Sequence, residues 1–84
     1  MSEQNEIPDT FADAIARGGR EVSEEEFNEF VRKLPQEFVI ENKVDCTNPA
    51  NDGQRCWHTG CYQHQYAIVF CQNRRCQRRV FYPC

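Results

Sequence analysis

Apolar residues in the first half of the chain recur at helical spacing, and those in the second half gather in short β-rich runs. Thr10 with Asp13 three residues on reads as a capping box, in which the hydroxyl accepts from an orphan N–H of the first turn. Phe11, Ala14 and Ile15 then share one face. Gly18-Gly19 ends this short helix, because paired glycines favour a left-handed cap. Ser23 and Glu26 form a second box, and Glu24, Glu25 and Glu26 put negative charge at the positive end of the helix dipole. Val22 before this cap and Phe27 inside it have the spacing of a hydrophobic staple. Phe27, Phe30, Val31 and Leu34 continue as an amphipathic stripe for packing on a core. Arg32 and Lys33 suit the C-terminal end, and Pro35 stops the helix.

Phe38-Val39-Ile40 opens a strand expected to run to Val44. Thr47 to Gly53 is a loop, marked by the turn dipeptides Asn48-Pro49 and Asp52-Gly53. Tyr66 to Cys71 reads as a strand, Val80-Phe81-Tyr82 as its partner, with the hairpin turn between Gln72 and Arg79. The expectation is an α+β fold: two short N-terminal helices, then a small antiparallel sheet of about three strands.

Length and charge refine this picture. Eighty-four residues make a single domain. It divides into a loose tail at 1–9, an acidic helical part at 10–45 and a Cys-rich, Arg-rich part at 46–84. Residues 1–45 carry twelve Asp/Glu against five Lys/Arg, whereas 46–84 carry one acid against five arginines, so charges of −7 and +4 make up the net −3. The two parts therefore attract, and the division suggests separate tasks. No apolar run is long enough for a transmembrane helix. The polar, acidic stretch Met1 to Thr10 is unlike a signal or transit peptide, which leads to a cytoplasmic expectation.

The six cysteines follow the pattern C-x9-C-x4-C-x9-C-x4-C-x7-C. Zinc takes thiolates from close pairs of cysteines, and Cys56-x4-Cys61 with Cys71-x4-Cys76 supplies two such pairs. The expected ligands are Cys56, Cys61, Cys71 and Cys76, with Cys46, Cys84, His58 and His64 as additional or alternative ligands. A zinc ion so held would stabilise the C-terminal half, since its ligation energy is folding energy. Six is also the count of a three-disulfide scaffold, so a disulfide-stapled extracellular binding domain or toxin stands as the alternative.

Two partial resemblances bear on this array. Cys46-x9-Cys56 and Cys61-x9-Cys71 are similar in spacing to the twin C-x9-C helical hairpins of the mitochondrial intermembrane space. Here Asn48-Pro49 and Asp52-Gly53 interrupt the first motif and Tyr66 to Cys71 is β-rich, so that assignment is rejected. Cys71-Gln72-Asn73-x-x-Cys76 followed by Val80-Phe81 resembles the distal half-motif of the Ogr/Delta zinc fingers of temperate phages, which activate late transcription. The resemblance covers about eleven residues and lacks that family's first C-x2-C pair.

Nothing assembles a catalytic set: Ser23 is a cap, and no Gly-rich phosphate loop is present, so no enzyme is expected. Arg74, Arg75, Arg78 and Arg79 beside Phe81 and Tyr82 form the candidate partner-binding patch. Guanidinium forks match carboxylate or phosphate, and nearby aromatics suit single-stranded nucleic acid. The pI of about 5.3 is low for a dedicated nucleic-acid binder, which is usually basic. The expected function is that of a small zinc-binding regulator or inhibitor of the economy seen in phages and mobile elements. It would bind a protein partner or a nucleic-acid-handling complex, with a direct nucleic-acid-binding zinc finger as a further alternative.

Overall fold

A computed structural model describes residues 7–41 and 44–84. The first six residues of the expected tail, and residues 42 and 43 of the expected strand, lie outside the described residues. The architecture is α+β: one five-stranded antiparallel sheet with a helix on each face. In chain order the elements are α1 (Phe11–Ala16), β1 (Arg20–Glu21), α2 (Glu24–Arg32), β2 (Val39–Glu41), β3 (Arg55–Thr59), β4 (Gln65–Gln72) and β5 (Arg75–Pro83). The sheet order is β1-β5-β4-β3-β2, so β4 and β5 are central and the two shortest strands form the edges.

Both helices begin where the sequence places them. Thr10 Oγ1 accepts from the Asp13 N–H at 3.2 Å, and Ser23 Oγ accepts from the Glu26 N–H at 3.1 Å. Each bond satisfies one donor that the first turn leaves without a helical partner. Helix α1 is capped at Arg17 and followed by Gly18, which takes φ 106°, a conformation open to glycine. Gly19 then passes so close to α1 that a Cβ there would stand 2.8 Å from the Ala14 carbonyl oxygen. Helix α2 gives way at Lys33 to a turn before Pro35.

Alternation along β4 divides the core into two layers. Tyr66, Ile68 and Phe70 face α1 together with Val80 and Tyr82 of β5, with Ala14 and Phe11 above them. Ala67, Val69 and Cys71 face α2, where Phe27, Phe81, Cys46 and Cys56 complete the layer. Six consecutive residues of β4, Tyr66 to Cys71, are buried, as expected of a strand covered on both faces. Rings tie α2 to the sheet: Phe27 meets Trp57 edge-on at 5.8 Å and Phe81 in a stack at 6.0 Å, while Phe30 lies 5.1 Å from Phe81.

The sheet has five strands where about three were expected. Strand β1 has two exposed residues at an edge and carries no alternation to read. Strand β3 covers Arg55–Thr59, a stretch for which no strand was expected. Phe38 ends a short 3-10 turn, so β2 starts one residue later than expected. The expected Val80–Tyr82 strand is the end of a longer one, because only Asn73 and Arg74 form the hairpin turn.

Candidate binding surface at the stapled hairpin

The loop before β3 is shaped by its own polar side chains. Asp45 Oδ1 accepts from the Thr47 hydroxyl at 2.5 Å and the Thr47 N–H at 3.1 Å, and Asn48 Oδ1 accepts from the Ala50 N–H at 3.0 Å. The Thr47 hydroxyl, with its N–H second, holds the Asp45 carboxyl below its ordinary range. This Asx-turn geometry aims Cys46 at the α2 side of the sheet. Gly53, at φ 87°, then donates to the Cys71 carbonyl at 2.8 Å.

Two register shifts place the other cysteines. In β3, Arg55 pairs with Phe70 and Trp57 with Val69, so Cys56 is an extra residue that bulges toward the α2 side. In β5, Arg78 pairs with Phe70 but Cys76 pairs with Cys71, so Gln77 is the extra residue. Without that bulge Gln77 would stand opposite Cys71. The outcome is three disulfides: Cys46–Cys71, Cys56–Cys76 and Cys61–Cys84, with Cα separations of 5.3, 6.0 and 6.1 Å. No cysteine is left free.

The expected four-sulfur set of Cys56, Cys61, Cys71 and Cys76 is therefore not brought together. Cys61 bridges to Cys84, beside the Gln65–Pro83 end of the β4–β5 ladder, whereas Cys71 and Cys76 sit at the Gln72–Arg75 end. Seven residues of strand between Gln65 and Gln72 separate these ends by about 24 Å. Of the alternative ligands, Cys46 and Cys84 are in bridges, and neither histidine joins a cysteine cluster among the described residues. His58 is buried on β3 with Nδ1 3.0 Å from the Thr59 carbonyl oxygen. Burial is the main cause that lowers its pKa; the Thr59 bond opposes this and the Arg55 charge reinforces it. His64 sits exposed in a turn at φ 68°.

The four arginines do not form one patch. Arg78 and Arg79 follow each other on a strand and so point to opposite faces. Arg78 lies 3.7 Å from the Phe11 ring centroid and donates to Glu21 at 3.1 Å. Arg79 donates to the Gln77 carbonyl at 2.8 Å and lies 3.8 Å from Glu24. Together with Arg55 and Asp9 at 3.4 Å, these pairs join the acidic and basic parts of the chain, the attraction expected from the charges. Arg74 and Arg75 remain exposed at the hairpin tip, without an ion pair among the described residues.

The tip is held under backbone strain. Asn73 at φ 55° and Arg74 at φ 64° form a two-residue loop with both residues left-handed, the type I′ geometry. Asn tolerates this region, whereas Arg does so at a cost of about 1–2 kcal/mol. Two disulfides anchor the stems next to it, through Cys71 on one side and Cys76 on the other. Below the tip on the α2 side lies a cleft of about 530 Å³, lined by Phe27, Val31, Val44, Trp57, Val69 and the Cys56–Cys76 bridge. The sequence reading missed this cleft, because it depends on where α2 crosses the sheet. The lone Trp57 next to Cys56 was the available sign.

Fold and site together define a small disulfide-stapled α+β domain with a basic hairpin tip above an aromatic cleft. No protein-family model matches the chain, and neither curated proteins nor solved structures give a match.

Proposed function

We propose that the protein is a non-catalytic recognition module of an oxidising compartment, which presents Arg74 and Arg75 on a stapled hairpin to an acidic protein surface. The observation that carries this reading is the pairing of all six cysteines. Disulfides persist where thiols are not kept reduced, and they supply the stability that a small core lacks. This reading departs from the cytoplasmic, zinc-stabilised regulator expected from sequence and follows the stapled binding domain weighed beside it. The strained arginine supports a binding role, since backbone strain is retained where it positions a functional group. Rigid stems also reduce the ordering entropy lost on binding. No helix among the described residues is long and apolar enough to cross a membrane.

Two measurements test this. Intact mass of the purified protein under denaturing, non-reducing conditions should fall six hydrogens short of the all-thiol chain. A full thiol mass with a zinc-sized increment under native conditions would restore the zinc reading. Poly-L-glutamate and mixed-sequence single-stranded oligonucleotides then serve as probes at low salt. The Arg74→Ala/Arg75→Ala variant should lose poly-glutamate binding and keep its unfolding midpoint. Tighter binding to oligonucleotide, weakening with salt by a log–log slope of roughly 0.7 per phosphate contact, would move the partner to nucleic acid.

A further inference from the structure

Two of the three disulfides form one cluster. The Sγ atoms of Cys46, Cys56 and Cys76 all lie within 4.8 Å of one another, and the sulfur of Cys71 is bonded to that of Cys46. The four residues come from four separate places: the loop before β3, the β3 bulge, the end of β4 and the start of β5. Cys71 and Cys76 are direct cross-strand partners on the hairpin. The third disulfide, Cys61–Cys84, lies at the other end of the ladder.

This arrangement has the dimensions of a metal site. With metal–sulfur bonds of about 2.3 Å, neighbouring sulfurs of a tetrahedral thiolate site stand about 3.8 Å apart. The three clustered sulfurs lie no more than 4.8 Å apart; the Cys56–Cys76 pair, bonded to each other, must open to reach that spacing, and Cys71 joins the group through its bond to Cys46. Once its bond opens, each pair need only separate by side-chain rotation. Cys56, Cys71 and Cys76 stand on hydrogen-bonded strands of the sheet, and the Cys46 loop is held by the Asp45 bonds to Thr47 and Asn51, so their positions do not depend on these two bonds alone. The donors are all sulfur, which selects soft ions over magnesium or calcium.

We infer that, when Cys46–Cys71 and Cys56–Cys76 are reduced, Cys46, Cys56, Cys71 and Cys76 together bind one zinc ion or a similar soft divalent metal. The inference stands apart from the recognition role proposed above, because it concerns the reduced chain. It also differs from the ligand set read from sequence, since Cys46 enters and Cys61 leaves.

The chemistry balances with a dithiol as reductant. Each disulfide accepts two electrons and two protons from one dithiol, which closes to its own disulfide, so two dithiols yield four thiols. Ligation then replaces thiol protons by the metal and releases up to four protons per ion, so affinity rises with pH. The route of entry is on the surface. Cys76 is exposed and the Cys56–Cys76 bridge lines the cleft, whereas Cys46 and Cys71 lie behind at 8% and 1% exposure. Reduction therefore begins at Cys56–Cys76. The freed Cys56 or Cys76 thiolate then stands next to the Cys46–Cys71 bond, placed for exchange.

The experiment uses the whole chain, reduced with a dithiol, freed of it without oxygen and titrated with cobalt(II) and then zinc(II). One cobalt per chain should bind, with the intense visible bands of tetrahedral thiolate coordination, and zinc should displace it. Iodoacetamide followed by peptide mass mapping should label Cys61 and Cys84, while Cys46, Cys56, Cys71 and Cys76 react at least tenfold more slowly in the metal-loaded chain. Equal labelling of all six, protection of Cys61, or absence of the cobalt bands overturns the assignment. The labelling map is read on the unmutated chain, so it does not depend on any variant folding. Cys46→Ser should then weaken metal binding at least tenfold, and Cys61→Ser/Cys84→Ser should leave it unchanged. The reverse pattern overturns the assignment as well.

Discussion

Replacing Cys61 and Cys84 together by serine isolates the contribution of one disulfide. The bridge spans a sequence separation of 23 and joins two exposed residues, so its loss opens no internal cavity. What disappears is a constraint on the unfolded chain. Because Cys56–Cys76 stays closed, the covalent path between the two positions is roughly 14 residues; a loop of that length closes at a cost of about 3 kcal/mol at 25 °C, and the variant should lose that much stability. For 84 residues the melting temperature should fall by roughly 20 °C. The native ladder should persist, because the Gln65–Pro83 pairing and the backbone bond from the position-84 N–H to the His64 carbonyl, 3.1 Å in the native chain, need neither sulfur. Urea unfolding without reductant, followed by the fluorescence of Trp57, measures the change. The midpoint should drop and the m-value should rise slightly, since the denatured variant is less compact. A loss below about 1 kcal/mol would refute the loop-closure argument, because the ends would then already be held together in the unfolded chain. A loss above about 5 kcal/mol would refute it in the other direction, by showing that the bridge supports native packing.

Arg74→Gly removes the left-handed strain at the hairpin tip and should stabilise the fold by about 1 kcal/mol in the same urea assay while reducing poly-glutamate binding. Destabilisation would mean that the Arg74 side chain holds the turn. The buried His58 makes stability pH-dependent: its pKa is near 6.5 when unfolded and lower when folded, so between the two values the unfolded chain binds more protons. Stability should be flat above about 6.5 and fall as pH drops through the folded pKa, and His58→Gln should flatten that decline; an unchanged profile would show that another group is responsible.

The helices were legible from sequence because their signals are local. Thr10, Ser23, Gly18-Gly19 and the Phe27–Leu34 stripe act within one or two turns of chain, and the structure follows them closely. The central strands were legible as apolar runs, although β5 extends well beyond its apolar end. The edge strand β1 and the half-polar β3 owe their state to neighbours, which a single sequence does not display. The site was less legible. Six cysteines were visible, but their partners depend on two one-residue bulges, at Cys56 and Gln77. Period-2 reading places Arg78 and Arg79 on opposite faces, yet their closeness in sequence suggested a single patch. Among the described residues, Arg74 and Arg75 at the hairpin tip take no part in the ion pairs that join the acidic and basic parts.

Every disulfide lies within residues 46–84, and the segment that carries both helices and β1 contains no cysteine. The molecule thus combines two kinds of permanence. The β3–β5 part is a covalently closed network that keeps its connectivity even when denatured. The helical part is attached through the peptide chain and held without covalent bridges, by aromatic packing, half-buried arginine ion pairs, the pairing of β1 with β5 and a few backbone hydrogen bonds such as Phe11 N–H to the Gly53 carbonyl. Helices α1 and α2 can therefore open as a unit at a free energy below that of global unfolding. Opening of this kind would uncover both faces of the sheet at once, while the hairpin tip with its two arginines stayed in place. A partner bound at the tip would be indifferent to that fluctuation, whereas anything seated in the Trp57 cleft, whose wall includes Phe27 and Val31 of α2, would suppress it.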